Sequence, residues 1–129
     1  MADATPLHIL LEHFKWHVQR LAEMNRQGST LYFRDAALQR FEFTFESALK
    51  CIQAAAESPG GGGRTPEETL ELALEKGWWP GHADGPGMLA ALDHLRPENR
   101  EDFAAGVYQK LPEYQHCFED LLKNLAALT

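Results

Sequence analysis

The sequence predicts an all-α fold, an antiparallel helical bundle, and three observations carry that prediction. Leu (18) and Ala (17) total 35 of 129 residues, whereas Val (2) and Ile (2) total 4, an inventory suited to helices and poor in strand formers. Apolar residues recur every three or four positions over three long stretches. Proline and glycine stand where helices start and stop rather than inside hairpin turns. With 44% hydrophobic and 24% charged residues, the chain has the make-up of one globular domain spanning 1–129, long enough to bury a core without staples.

The first helix is expected from Pro6 to Met24, with Thr5 as N-cap and Pro6 at the first helical position. Leu7, Leu11, Phe14, Val18 and Leu21 form its apolar stripe; Trp16 falls off it, beside His13 and Arg20. Gln27-Gly28-Ser29-Thr30 reads as a stop and loop. The second helix runs from Leu31 or Phe33 to Glu57, with Leu38, Phe41, Phe45, Ala48, Leu49, Ile52 and Ala55 on one face. Phe43, two residues from both Phe41 and Phe45, points about 200° away from them. It therefore belongs either to a second buried face or to a dimer or partner surface. Glu42, Glu46 and Lys50, one turn apart, read as a solvated ion row or as the lining of a shared cleft, and Arg40 is the side chain best suited to a phosphate or carboxylate.

Ser58-Pro59-Gly60-Gly61-Gly62-Gly63-Arg64 reads as a mobile loop over 58–64. Gly63-Arg64-Thr65 imitates the end of a phosphate-binding loop, but Ser58 stands where its first glycine belongs, Arg replaces Lys, and no strand precedes it. Thr65-Pro66-Glu67-Glu68 is a capping box opening a short helix with Leu70, Ala73 and Leu74 inward and Gly77 at its end. Of the following Trp78 and Trp79, one plugs the bundle end and the other suits an interface. Met88–Leu95 predicts another short helix, stopped by Pro97. The last runs from Asn99 or Arg100 to about Leu128, with a seam of Phe103, Val107, Leu111, Tyr114, Phe118, Leu121, Leu125 and Leu128, kinked at Pro112.

Charge and cysteine usage exclude several functions. Residues 1–64 hold seven basic and seven acidic side chains, and residues 65–129 hold five and twelve, so the net −7 sits in the second half. Such a chain repels phosphate backbones at long range, and strong nucleic-acid binding is not expected, although a local basic site is allowed. No apolar run is long enough to span a membrane and no signal peptide opens the chain, so a cytoplasmic location without membrane contact is expected. Cys51 and Cys117 read as free thiols beside the core. His13 and His17 are one turn apart, but a metal would need a third ligand such as Asp93, His94 or His116, and no metal site is expected.

Gln39-Arg40-Phe41-Glu42-Phe43-Thr44-Phe45-Glu46-Ser47-Ala48-Leu49-Lys50 resembles the signature of the nucleotidyltransferase substrate-binding proteins, a branch of the HEPN superfamily. Later features follow the family's order: a variable break, a helix opened by Thr65-Pro66, a Gly77-Trp78-Trp79 stop, a Met88-Leu89 segment and a long final helix with an internal proline. The resemblance implies a four-to-five-helix up-and-down bundle, a homodimer, and a partner in the form of a small separate chain carrying the nucleotidyltransferase active site. Nucleotide and magnesium would belong to that partner, with no cofactor in this chain. Arg40, Glu42, Phe43, Glu46, Lys50, Trp78 and Trp79 become the candidate substrate- or partner-binding residues.

Some members of this superfamily are ribonuclease toxins paired with antitoxins. Their activity depends on an R-N-x-x-x-H motif near the last helix, followed by a Tyr. Placed from Met88-Leu89, those positions are Leu92, Asp93 and Pro97, with Asn99 in place of the Tyr. No Arg in the chain is followed by a His four to six residues later. The resemblance thus implies a degenerate, non-catalytic member that binds an acceptor and positions it for the partner. A divergent ribonuclease toxin and an orphan dimeric bundle are the alternatives.

Overall fold

The computed structural model describes residues 5–26, 31–56, 64–81 and 83–129. They form five helices: α1 (Leu7–Asn25), α2 (Leu31–Ala55), α3 (Pro66–Glu75), α4 (Gly85–His94) and α5 (Arg100–Ala126). The Gln27–Thr30 stop and the glycine-rich break, apart from Arg64, lie outside the described residues. The all-helical bundle expected from composition and periodicity is the fold observed. α1 packs on α2 and both pack on α5, α3 lies against α2, and α4 bridges α3 and α5.

The apolar stripes meet in one core. Phe14, Phe41, Phe45 and Phe118 are fully buried and touch edge-on or tilted, with centroids 5.8 to 6.1 Å apart. Tyr114 stacks on Phe41 at 5.3 Å. Each such ring contributes about 1.5–3 kcal/mol through burial alone, so this aromatic knot is the energetic centre of the bundle. Asn25 Nδ2 donates to Gln115 Oε1 (2.8 Å), tying the end of α1 to α5.

Local signals set the boundaries of α3. Thr65 accepts from the Glu68 N–H (3.1 Å) while the Glu68 carboxylate accepts from the Thr65 N–H (2.9 Å), a complete capping box. At the other end Gly77 has φ +74°, and the N–H groups of Trp78 and Gly77 return to the carbonyls of Ala73 and Leu74. This is the glycine-terminated Schellman arrangement expected of Gly77.

Several expectations need correction. Thr5 does not cap α1: Pro6 itself occupies the N-cap position in an extended conformation, and its carbonyl receives the Ile9 and Leu10 N–H groups. Leu74 points outward, because a ten-residue helix lying against α2 buries a narrow face; Thr69 takes the inward place, hydrogen-bonded to the Thr65 carbonyl and to Gln53. α4 starts three residues before Met88, because Asp84 caps it through the Gly87 N–H (2.9 Å). Phe103 and Leu128 lie at the ends of the α5 seam, beyond the reach of the core, and both are exposed. The last helix does hold Pro112 inside one continuous α5, as its sequence pattern predicts, with the proline exposed.

Candidate functional site

α2 has two faces of opposite use. Leu38, Phe41, Phe45, Ala48 and Ile52 point into the core with no exposed surface, and Phe43 lies opposite, 40% exposed. Thr44 marks the boundary towards α1: its buried hydroxyl donates to the Arg40 carbonyl (2.6 Å) and lies 3.3 Å from the His17 carbonyl. Phe43 is therefore not covered by a second buried face within the chain. Glu46 and Lys50 are exposed beside it, and Arg40 and Glu42 are half-buried at its flanks.

The flank towards α1 is cationic and aromatic. The guanidinium groups of Arg20 and Arg40 lie 5.3 and 5.5 Å from the ring centre of Trp16, which is 46% exposed. His17 stands edge-on to Trp16 (5.1 Å) and tilted to Phe43 (6.4 Å). Burial, and then the charges of Arg40, His13 and Lys50, hold the His17 imidazole below its ordinary pKa. Its Nδ1 is buried without a hydrogen-bond partner among the described residues, which agrees with a neutral ring.

The opposite flank is acidic. Asp35, Gln39, Glu42, Phe43 and Glu46 line a groove of about 420 Å³, closed at one side by Arg100 from the start of α5. Arg100 Nη1 donates to Glu42 Oε1 (3.0 Å) and to the Leu95 carbonyl (2.9 Å). The predicted ion row along α2 is therefore not the pairing found: the next turn of the helix presents Glu42 with another carboxylate, Glu46, and Glu42 pairs instead with Arg100, 58 positions away in sequence.

The sequence-predicted residues thus divide. Arg40, Glu42, Phe43, Glu46 and Lys50 share one face of α2. Trp78 and Trp79 do not join them: Trp79 is only 3% exposed, tilts against Phe45 at 6.3 Å and plugs the core. Half-buried Trp78 receives Asn124 Nδ2 on its carbonyl at 2.7 Å, at the opposite end of α5 from Arg100. Leu92 is half-buried against the core, Asp93 pairs with Arg96 (2.8 Å) along the surface, and Pro97 is exposed. Asp35 and Arg100 were not singled out by sequence reasoning. The i, i+7, i+11 spacing of Asp35, Glu42 and Glu46 could have found the first, whereas no local signal links Arg100 to α2.

Cys51 and Cys117 are free and buried, and burial pushes both thiols up to about 12, so neither is a nucleophile near neutral pH. Among the described residues no group of three His, Cys, Asp or Glu side chains is placed to hold a metal, and no helix is long and apolar enough to cross a membrane.

Neither a protein-family model nor a curated protein matches the chain. A crystal structure of a protein from Thermus thermophilus is similar, with 28% identity and a TM-score of 0.75, over 87% of this chain and 98% of that one. The helical arrangement is therefore one that a natural protein adopts over nearly its full length.

Proposed function

We propose that this chain is the non-catalytic binding subunit of a two-chain nucleotidyltransferase, a homodimer that holds the acceptor substrate for a small separate catalytic chain. The observation that carries this reading is the division of α2. The segment that resembles the substrate-binding family's signature keeps Phe41 and Phe45 for the core and leaves Arg40, Glu42, Phe43, Glu46 and Lys50 on the accessible flank. A large exposed aromatic between a cationic and an acidic margin suits a protein interface, where aromatic anchors supply most of the binding energy and the charges fix orientation.

In this reading the two copies meet around Phe43, and the charged margins face the second copy and the catalytic chain. Positioning the acceptor is this chain's contribution to rate, since a held reactant needs no further loss of translational freedom. Nucleotide and magnesium belong to the catalytic chain. Both chains would work in the cytoplasm.

The test is to recover the tagged chain from its native lysate and weigh and identify what comes with it. A nucleotidyltransferase in stoichiometric amount supports the reading; the chain recovered alone, or RNA cleavage by the purified chain, overturns it. Phe43→Asp is expected to give a folded monomer. A dimer unchanged by that substitution would place the two-fold surface elsewhere.

A further inference from the structure

A second concavity, of about 320 Å³, lies between α4 and α5, apart from the α2 face. Two short-range facts shape it. Gly106 on α5 has open space where a Cβ would stand, so the floor there is bare backbone. A Cβ on Gly87 of α4 would fall on the Asp84 carboxylate, so a larger residue there would displace the group that caps the helix. Ala91 and Val107 complete an apolar floor between them.

The two ends differ in chemistry. At one, the His94 ring lies flat on Phe103, with centroids 3.9 Å apart and planes 13° from parallel. That contact explains why Phe103, a seam position by its spacing, stays outside the core: it forms the wall of the groove. At the other end stand Asp84, Lys110 and Tyr114. Lys110 has no ion pair, and the Tyr114 hydroxyl no hydrogen bond, among the described residues. Burial, then Asp84 and Glu113, raise the Tyr114 hydroxyl above its ordinary value, which keeps it a proton donor.

A simple anion at this end would meet Asp84, and a simple cation would meet Lys110. A head bearing both charges satisfies each, with Tyr114 as a further donor to the anionic part. The volume, at the lower limit of small-ligand clefts, restricts the rest to one compact ring. We propose that the α4–α5 groove binds a compact zwitterion with a flat apolar tail, of which an aromatic α-amino acid is the simplest form. Its carboxylate sits at Lys110 and Tyr114, its ammonium at Asp84, and its ring over Gly106 and Val107 towards the His94–Phe103 pair. The proposal does not rest on the two-chain reading.

The experiment titrates the labelled protein with L-phenylalanine, 3-phenylpropionate and 2-phenylethylamine, following the amide and methyl resonances of Ala91, Gly106 and Val107. L-phenylalanine is expected to bind with Kd on the order of 1 mM, and each half-headed analogue about tenfold or more weaker. Gly106→Leu, at a position where a Cβ has nothing within 4 Å, fills the groove and removes binding. Lys110→Gln, on the surface, removes the preference for L-phenylalanine over 2-phenylethylamine. No perturbation by L-phenylalanine at about 10 mM, equal binding of the three compounds, or binding that survives Gly106→Leu overturns the proposal. Repeating the titration on Phe43→Asp separates this site from the dimer surface, because the groove should bind equally well in the monomer.

Discussion

Phe41 and Phe43 are the same residue type, two positions apart on one helix, and the bundle treats them oppositely. Phe41 has no exposed surface and touches Phe45, Tyr114 and Phe118; Phe43 is 40% exposed and, among the described aromatic rings, meets only His17. A helix turns about 200° in two residues, so a single run of alternating phenylalanines serves a core and a surface at once. The inner face is held by volume and area. The outer one is held only at its margins, by Arg40 over Trp16 and by Glu42 with Arg100, and Phe43, Glu46 and Lys50 stay exposed between them.

Five substitutions sharpen that contrast, beginning with the largest effect. Phe41→Ala should cost about 3–5 kcal/mol of unfolding free energy in denaturant melts, because its cavity opens in the aromatic knot, whereas Phe43→Ala should cost less than about 1 kcal/mol in the monomer. Equal losses at the two positions would erase the distinction between the faces. Thr44→Val tests the boundary: the shape is kept and the bond to the Arg40 carbonyl is lost, for about 1 kcal/mol.

Glu42→Gln comes next. Both partners of the Glu42–Arg100 pair are about one-third exposed (30% and 32%), so its loss should register at no more than about 1 kcal/mol and shrink as salt is added. The smallest effect on stability belongs to Arg40→Gln, where the readout is His17. Removing the nearby cation should raise the imidazole pKa towards its ordinary value of 6.5, as followed by NMR titration. The sign of the linked stability change follows from that direction. With a depressed folded pKa, the contribution of His17 is complete above 6.5 and is lost as pH falls through the folded value; in the Arg40→Gln variant this loss should be smaller. An unmoved His17 titration would show that Arg40 does not set its state.

Much of the fold was legible because it rests on local rules. The periodicity of Leu11, Phe14, Val18 and Leu21, the Thr65–Glu68 capping box and the glycine at 77 each act within a turn or two of helix. The places where sequence reading failed lie at the ends of stripes. Leu74, Phe103 and Leu128 continue an apolar pattern, but burial depends on whether another helix lies opposite, and periodicity carries no information about that. The site was legible in part for the same reason. Arg40, Glu42, Phe43, Glu46 and Lys50 fall on the outer side of α2 by helical geometry alone. That Trp79 would leave this group for the core, and that Glu42 would find Arg100, could not be read from spacing.

The sequence alone therefore determined the helical class, the capped ends of α3 and the two-sided character of α2, since all three follow from backbone preferences and a 3.6-residue period. The tertiary structure decided which apolar positions found a neighbour, which carboxylate met Arg100, and that Gly106, Phe103 and Asp84 border one groove. These are contacts between elements far apart in the chain, set by how five helices share a single core, and no local rule specifies them.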